Sequence, residues 1–180
     1  LRLRPHRRNP PILERVPVAG TDPAQWEDLF GAFRSAREAD NLLRELAHLY
    51  QLCPRRLGLE PGGQGPCPAP QAKRCAGVCA GRERPEEHDA RLAGALASSR
   101  LKPWPWAGQV VVGERHPYAD LQQWHLLDRW CHLGSADSAE ALADLAVSPP
   151  PRAFQLDIYR ILARWLDAPA HRARVEPWDE

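Results

Sequence analysis

Between Cys53 and Gly81 the chain places Pro54, Gly58, Pro61, Gly62, Gly63, Gly65, Pro66, Pro68, Pro70 and Gly77, a density of breakers that sustains neither helix nor strand for long. A structureless run of this length is unusual inside a compact domain and has to be fixed by something other than its own backbone. Four of the five cysteines fall in it, as Cys53-x13-Cys67-x7-Cys75-x3-Cys79, with Cys131 left over further on. Four thiols in one loop read as one site that staples it. Three chemistries offer the staple. A disulfide framework suits short secreted chains, and the odd fifth thiol, the 180-residue length and a charged start without the apolar core of a signal peptide argue against it. Structural zinc usually pairs its ligands at two-to-four-residue spacing on both sides, whereas only Cys75 and Cys79 are close here. Iron–sulfur ligation tolerates a distant ligand and prolines beside ligands, here Cys53-Pro54 and Cys67-Pro68. Gly77, between Cys75 and Cys79, lets backbone amides approach a sulfide with no side chain in the way.

The flanks of the loop are more regular. Ser35-Ala36-Arg37-Glu38 reads as a capping box opening a helix to about Tyr50, with Ala39, Leu42, Leu43, Leu46 and Leu49 or Tyr50 on one apolar face. A second helix begins near Pro85, with Glu86, Glu87 and Asp89 at its positive end and Leu92, Ala95 and Leu96 inward. Residues 1–25 are Pro-rich and basic, with an edge strand possible at Ile12-Leu13 and 16–19. After Trp104 and Trp106, strands over 109–114 and 122–133 form a hairpin about a turn at His116-Pro117-Tyr118. Asp137-Ser138-Ala139-Glu140 caps a short helix to about Val147, the prolines at 149–151 break it, and Phe154, Ile158, Ile161, Leu162, Trp165 and Leu166 stripe a final helix. The expected class is α+β, mainly helical, with a cysteine-rich loop organised by a metal cluster between helices, then a small hairpin-plus-helices unit. Expected divisions are a connector at 1–27, a cysteine-cluster domain at 28–100 and a small α+β unit at 101–180.

A net charge of +1 hides an asymmetry: residues 1–15 carry +4, residues 34–84 carry +4, and residues 101–180 carry −3. A polyanion such as DNA therefore meets the first half, because each cation that neutralises a phosphate releases a condensed counterion. Arg34, Arg37, Arg44, Arg55, Arg56, Lys73, Arg74, Arg82 and Arg84 are the candidate phosphate contacts. An ordinary solvated surface accounts for the same excess.

Leu29-Phe30-Gly31-Ala32-Phe33, the capped helix from Ser35, Leu52-Cys53-Pro54, Gly58-Leu59-Glu60, Gly65-Pro66-Cys67 and Lys73-Arg74-Cys75-Ala76-Gly77-Val78-Cys79 followed by His88 closely resemble the segment after the nuclease domain in the UvrC excinuclease family, nearest the short homologue Cho. The resemblance covers roughly residues 28–100. It implies that Cys53, Cys67, Cys75 and Cys79 ligate a 4Fe-4S cluster, with zinc the alternative for the same thiolates. It also implies a DNA-repair endonuclease with a GIY-YIG nuclease domain upstream, DNA as partner and further repair proteins possible, while the lack of an apolar run of about 20 residues and of a signal-peptide core predicts a cytoplasmic protein with no membrane partner. Pro68-Ala69-Pro70-Gln71 departs from the family pattern after the second cysteine. The chain opens on Leu1 and contains no methionine, as expected of a processed product or a fragment of a longer protein.

Phosphodiester cleavage needs an activated nucleophile and a cation at the leaving oxygen, and the sequence holds no GIY…YIG pair and no Asp-rich nuclease motif. The expectation is a DNA-binding and positioning module without the nuclease active site. The alternatives are a zinc-stapled protein-interaction domain, or part of a nuclease completed by an upstream domain. Trp104 and Trp106 offer faces on which an unpaired base could stack, but beside prolines at a strand entry they read as a hydrophobic plug. His125, Asp128 and His132 supply metal-ligand types, but on one continuous strand Asp128 and His132 share a face that His125 does not. Ser135 or Ser138 with His132 and Asp137 supplies triad types without triad geometry. Cys131 reads as a small core residue.

Overall fold

Two three-residue strands, β1 (Arg2–Arg4) and β2 (Ile12–Glu14), pair antiparallel near the start of the chain in the computed structural model, which describes residues 1–4, 12–61, 65–68, 74–119 and 121–178. Ser35 then starts α1 (Ala36–Leu49): its hydroxyl accepts the Glu38 N–H at 3.2 Å, and the Glu38 carboxylate accepts the Arg34 N–H at 2.8 Å. The helix buries Ala39, Leu43, Leu46 and Ala47. Leu49, expected on that face, is 72% exposed, because the helix ends there and Leu52 takes the inward place. α2 (Pro85–Leu96) begins at its proline and buries His88, Leu92, Ala95 and Leu96. With Leu52 and Leu57 from the cysteine loop, these two helices and Phe30 form one apolar core.

Residues 1–18 and 27–101 make one compact unit, and residues 19–26 and 102–180 make a second. The second is built on β3 (Val110–Arg115), β4 (Gln122–Asp128), β5 (Cys131–Ala136), α3 (Ala139–Val147), α4 (Leu156–Trp165), α5 (Pro169–Arg172) and β6 (Val175–Pro177). Its sheet runs β5-β4-β3-β6 with every pairing antiparallel. The expected continuous strand over 122–133 is in fact two. Arg129 and Trp130, at φ 50° and 65°, reverse the chain in a two-residue turn whose left-handed conformation matches strand twist. One sheet face packs Val111, Leu126, Cys131, Leu133 and Ala136 against Leu142 and Ala146 of α3, so Cys131 is a core residue there. Ser138 caps α3, accepting the Ala141 N–H at 3.2 Å, with Asp137 one residue outside the cap. Trp26, from the short segment 19–26, meets Phe154 and Tyr159 edge-on at 5.6 and 5.7 Å. Trp104 is buried against Trp106 and Trp130, the plug its sequence context suggested. The α+β class stands as a mixed fold, about 38% helical among the described residues and with two small sheets.

Candidate metal centre

The four loop cysteines converge. Leu52 is fully buried in the core, which fixes Cys53 one residue beyond it. Cys67 comes from the far side of the loop, Cys75 precedes a tight turn over Val78–Ala80, and Cys79 sits within that turn. Gly77 makes the turn possible: its φ is +98°, and a Cβ there would lie 2.9 Å from the Arg82 Cβ. Its N–H donates to the Cys75 Sγ at 3.3 Å, and the Cys67 N–H donates to the Cys79 Sγ at 3.3 Å. All four sulfurs lie within 4.8 Å of one another, with Cys53–Cys67 at 3.9 Å and Cys67–Cys79 at 3.4 Å. None of the chain's cysteines is in a disulfide, so the pairs expected of a disulfide framework do not form.

Burial and ionisation conflict in this cluster. Cys53, Cys67 and Cys75 are buried. Burial pushes the Cys75 thiol up to about 11, with the neighbouring sulfur of Cys53 adding to the rise. Burial also raises Cys79, but hydrogen bonds from the Cys67 N–H and the surrounding thiols outweigh it and leave that thiol more acidic than usual. Four thiolates side by side need a cation, and binding one releases their protons. The donor set, four cysteine sulfurs with amide N–H groups aimed at two of them, fits a thiophilic metal. Four sulfurs about 2.3 Å from one tetrahedral ion lie about 3.8 Å apart, and the Cys53–Cys67 and Cys67–Cys79 separations of 3.9 and 3.4 Å are of that order.

A second layer supports Cys53. His88 on α2 is fully buried, and its Nε2 accepts the Cys53 N–H at 3.0 Å. That bond makes Nε2 the acceptor and leaves Nδ1–H to donate to Asp89 Oδ1 at 3.0 Å. Asp89 in turn takes two hydrogen bonds from Arg56 Nη2, at 2.7 and 2.9 Å. Burial lowers the His88 pKa and keeps the ring neutral, as this acceptor role requires. Sequence reasoning noted His88 only as part of the family pattern and assigned it no role, since nothing local links it to an amide 35 residues earlier.

The candidate phosphate contacts differ in exposure and in the partners they already hold. Arg37, Arg44, Arg74, Arg82 and Arg84 are exposed. Arg44 bonds Asn41 at 3.0 Å, Arg84 pairs with Glu87, and the half-buried Arg55 donates to the Gly65 carbonyl. Arg34 is exposed at the start of α1. Arg56 is committed to Asp89 with its side chain 18% exposed. Lys73, like Ala69-Pro70-Gln71 of the departing segment, lies outside the described residues.

In the second unit the turn at 129–130 puts His125 and His132 on the same face, contrary to the continuous-strand expectation. Both rings reach the Ser135 Oγ, at 2.7 and 3.1 Å, and Glu114 lies 3.5 Å from His125 Nε2. Asp128 is excluded from this group, being buried and paired with Arg152. No helix among the described residues is long and apolar enough to cross a membrane.

Residues 3–98 match the UvrC/Cho excinuclease middle domain, and residues 109–180 match the excinuclease Cho C-terminal domain. The chain belongs to the UvrC/Cho excinuclease family. It is 39% identical over 138 residues to excinuclease cho of Escherichia coli K12, an alignment covering 76% of this chain and 45% of that protein. To excinuclease cho of Salmonella typhimurium it is 36% identical over 153 residues, covering 84% and 51%. The chain thus spans about half the length of the curated relatives it matches. No solved structure matches it.

Proposed function

We propose that this chain is the DNA-binding and positioning part of a UvrC/Cho-type repair endonuclease, with Cys53, Cys67, Cys75 and Cys79 ligating a metal centre and the nuclease active site supplied by an upstream domain of the same protein. The convergence of the four sulfurs within 4.8 Å, in a chain of this family, carries the reading. The centre is structural: it ties both ends of a Pro/Gly loop to α1 and α2 where the loop has too little apolar surface to hold itself. Phosphate contacts come from the exposed arginines Arg34, Arg37, Arg44, Arg74, Arg82 and Arg84, from the half-buried Arg55 and from Lys73, and carry no direct sequence information. Arg56 serves the second layer instead. The family resemblance supports an iron–sulfur cluster. Zinc is the second reading, favoured by the sulfur spacing. With zinc alone and no DNA affinity the chain would be a protein-interaction domain.

Anaerobic purification followed by iron, acid-labile sulfide and zinc analysis, repeated on Cys75→Ser, tests the centre. Iron with equivalent sulfide, lost in the variant, establishes the cluster; zinc without sulfide establishes the single ion; neither metal removes the proposal. DNA binding through several phosphates weakens steeply as salt rises, and a salt-insensitive affinity contradicts the positioning role. Incision by the isolated chain with a divalent metal would show that it carries an active site after all.

A further inference from the structure

A cleft of about 570 Å³ opens between α1 and the cysteine loop, lined by Arg44, Ala47, His48, Pro54, Leu59, Glu60, Pro68 and Arg74. We infer that it takes one nucleotide of an unpaired DNA strand, which gives the DNA-positioning reading above, on which this inference rests, a preference for single-stranded or opened DNA. Size is the first argument. The volume lies within the roughly 300–1,000 Å³ that accommodates a single small ligand.

Chemistry is the second. Arg44 and Arg74 bring guanidinium groups to the cleft, and His48 adds an imidazole. Arg44 spends one donor on the neutral amide oxygen of Asn41 and keeps its charge uncompensated by that contact. Glu60 is the only acid among the described lining residues, so these side chains leave the cleft net positive. Ala47, Pro54, Leu59 and Pro68 supply the apolar part. An anion alone would leave those surfaces wet, and an apolar peptide would leave the guanidinium groups unused. A nucleotide offers a phosphate for the arginines and a flat base face for Leu59 and the proline rings, a contact open to any base because every base has such a face. Pro54 and Pro68 each directly follow a candidate ligand, Cys53 and Cys67. The metal centre therefore sets the position of the cleft's apolar part, and loss of the metal removes the single-strand preference.

The test is fluorescence anisotropy on the full chain, metal-loaded, with a fluorescein-labelled 12-nucleotide single strand and with the matching 12-base-pair duplex. The single strand is expected to bind more tightly. Arg44→Glu and Arg74→Glu are each expected to weaken single-strand binding about tenfold or more and to reduce the salt slope by about one, with circular dichroism confirming that each variant is folded. Arg160→Glu, on α4, changes the charge equally at an exposed position outside the cleft and is expected to leave the affinity within about twofold. A 5-iodouracil strand is expected to crosslink to residues that line the cleft. Equal losses in all three variants, equal affinity for strand and duplex, or displacement of the strand by poly-glutamate at comparable charge concentration overturns the cleft assignment while leaving DNA binding in place. Absence of any DNA binding overturns the positioning role itself.

Discussion

Replacing His88 by alanine tests the second layer of the proposed metal centre most directly. The imidazole is fully buried, and its Nε2 is the acceptor for the Cys53 N–H. Its removal leaves that amide unsatisfied, at about 1–3 kcal/mol for a buried donor. It also leaves a cavity where the ring was, and large-to-small changes at well-packed sites add enough to bring the total to about 3–5 kcal/mol. Asp89 keeps Arg56, so the outer ion pair adds little to the loss. In His88→Gln the side-chain carbonyl can reach the same N–H, and about half of the stability should return. The assay is urea unfolding of the metal-loaded chain followed by tryptophan fluorescence, together with the rate at which a chelator extracts the metal. Extraction should be fastest in His88→Ala and intermediate in His88→Gln, because the Cys53 amide positions a ligand. A loss below about 1 kcal/mol in His88→Ala, or extraction from His88→Gln as fast as from His88→Ala, would refute the argument.

Gly77→Ala forces a β-carbon onto a residue at φ +98° and to within 2.9 Å of the Arg82 Cβ, so it should cost about 1–3 kcal/mol and lower the metal retained after gel filtration; full retention contradicts the turn's role. Arg129→Asn puts a residue tolerant of the left-handed region where φ is 50°, and should raise the stability of the sheet unit by about 0.5–1 kcal/mol in urea unfolding followed by tryptophan fluorescence. Burial, aided by the nearby charge of His125, lowers the His132 pKa, so the native state binds that proton less readily than the unfolded chain. Its stabilising contribution is therefore complete above an unfolded value of about 6.5 and is lost as pH falls below it. The urea midpoint should fall between about pH 7 and pH 5, less steeply in His132→Gln, and equal slopes would exclude His132 as the cause.

Local signals carried much of this fold. Ser35 and Ser138 mark helix starts because capping is a matter of one side chain and an amide two or three residues away. The cysteine cluster was legible for a different reason: a loop so rich in proline and glycine needs a staple, and its thiols are the residues available to provide one. The reversal at Arg129-Trp130 was not legible, because such turns usually announce themselves with Asn-Gly or Asp-Gly, and here burial of Trp130 imposes the turn from outside. Missing it assigned His125 and His132 to opposite faces. His88 escaped because a buried acceptor is defined by the amide packed against it, and that amide is distant in sequence. Arg56 looked like any other surface arginine until its partner Asp89 came from a helix beyond the loop.

The second unit is not a contiguous stretch of chain. Its segment 19–26 delivers Trp26, whose indole donates to Thr21 Oγ1 at 2.8 Å, and the Pro23 carbonyl accepts the Trp104 N–H at 3.0 Å. Boundaries drawn from family similarity, ending at 98 and resuming at 109, assign those eight residues to the other unit. A gene fragment starting at residue 102 would therefore encode a sheet and helices with a tryptophan-sized hole beside Phe154 and Tyr159. The C-terminal unit is transferable between proteins only with a short upstream strip of the same chain, so recombination that exchanged it as a single cassette would produce a poorly packed product.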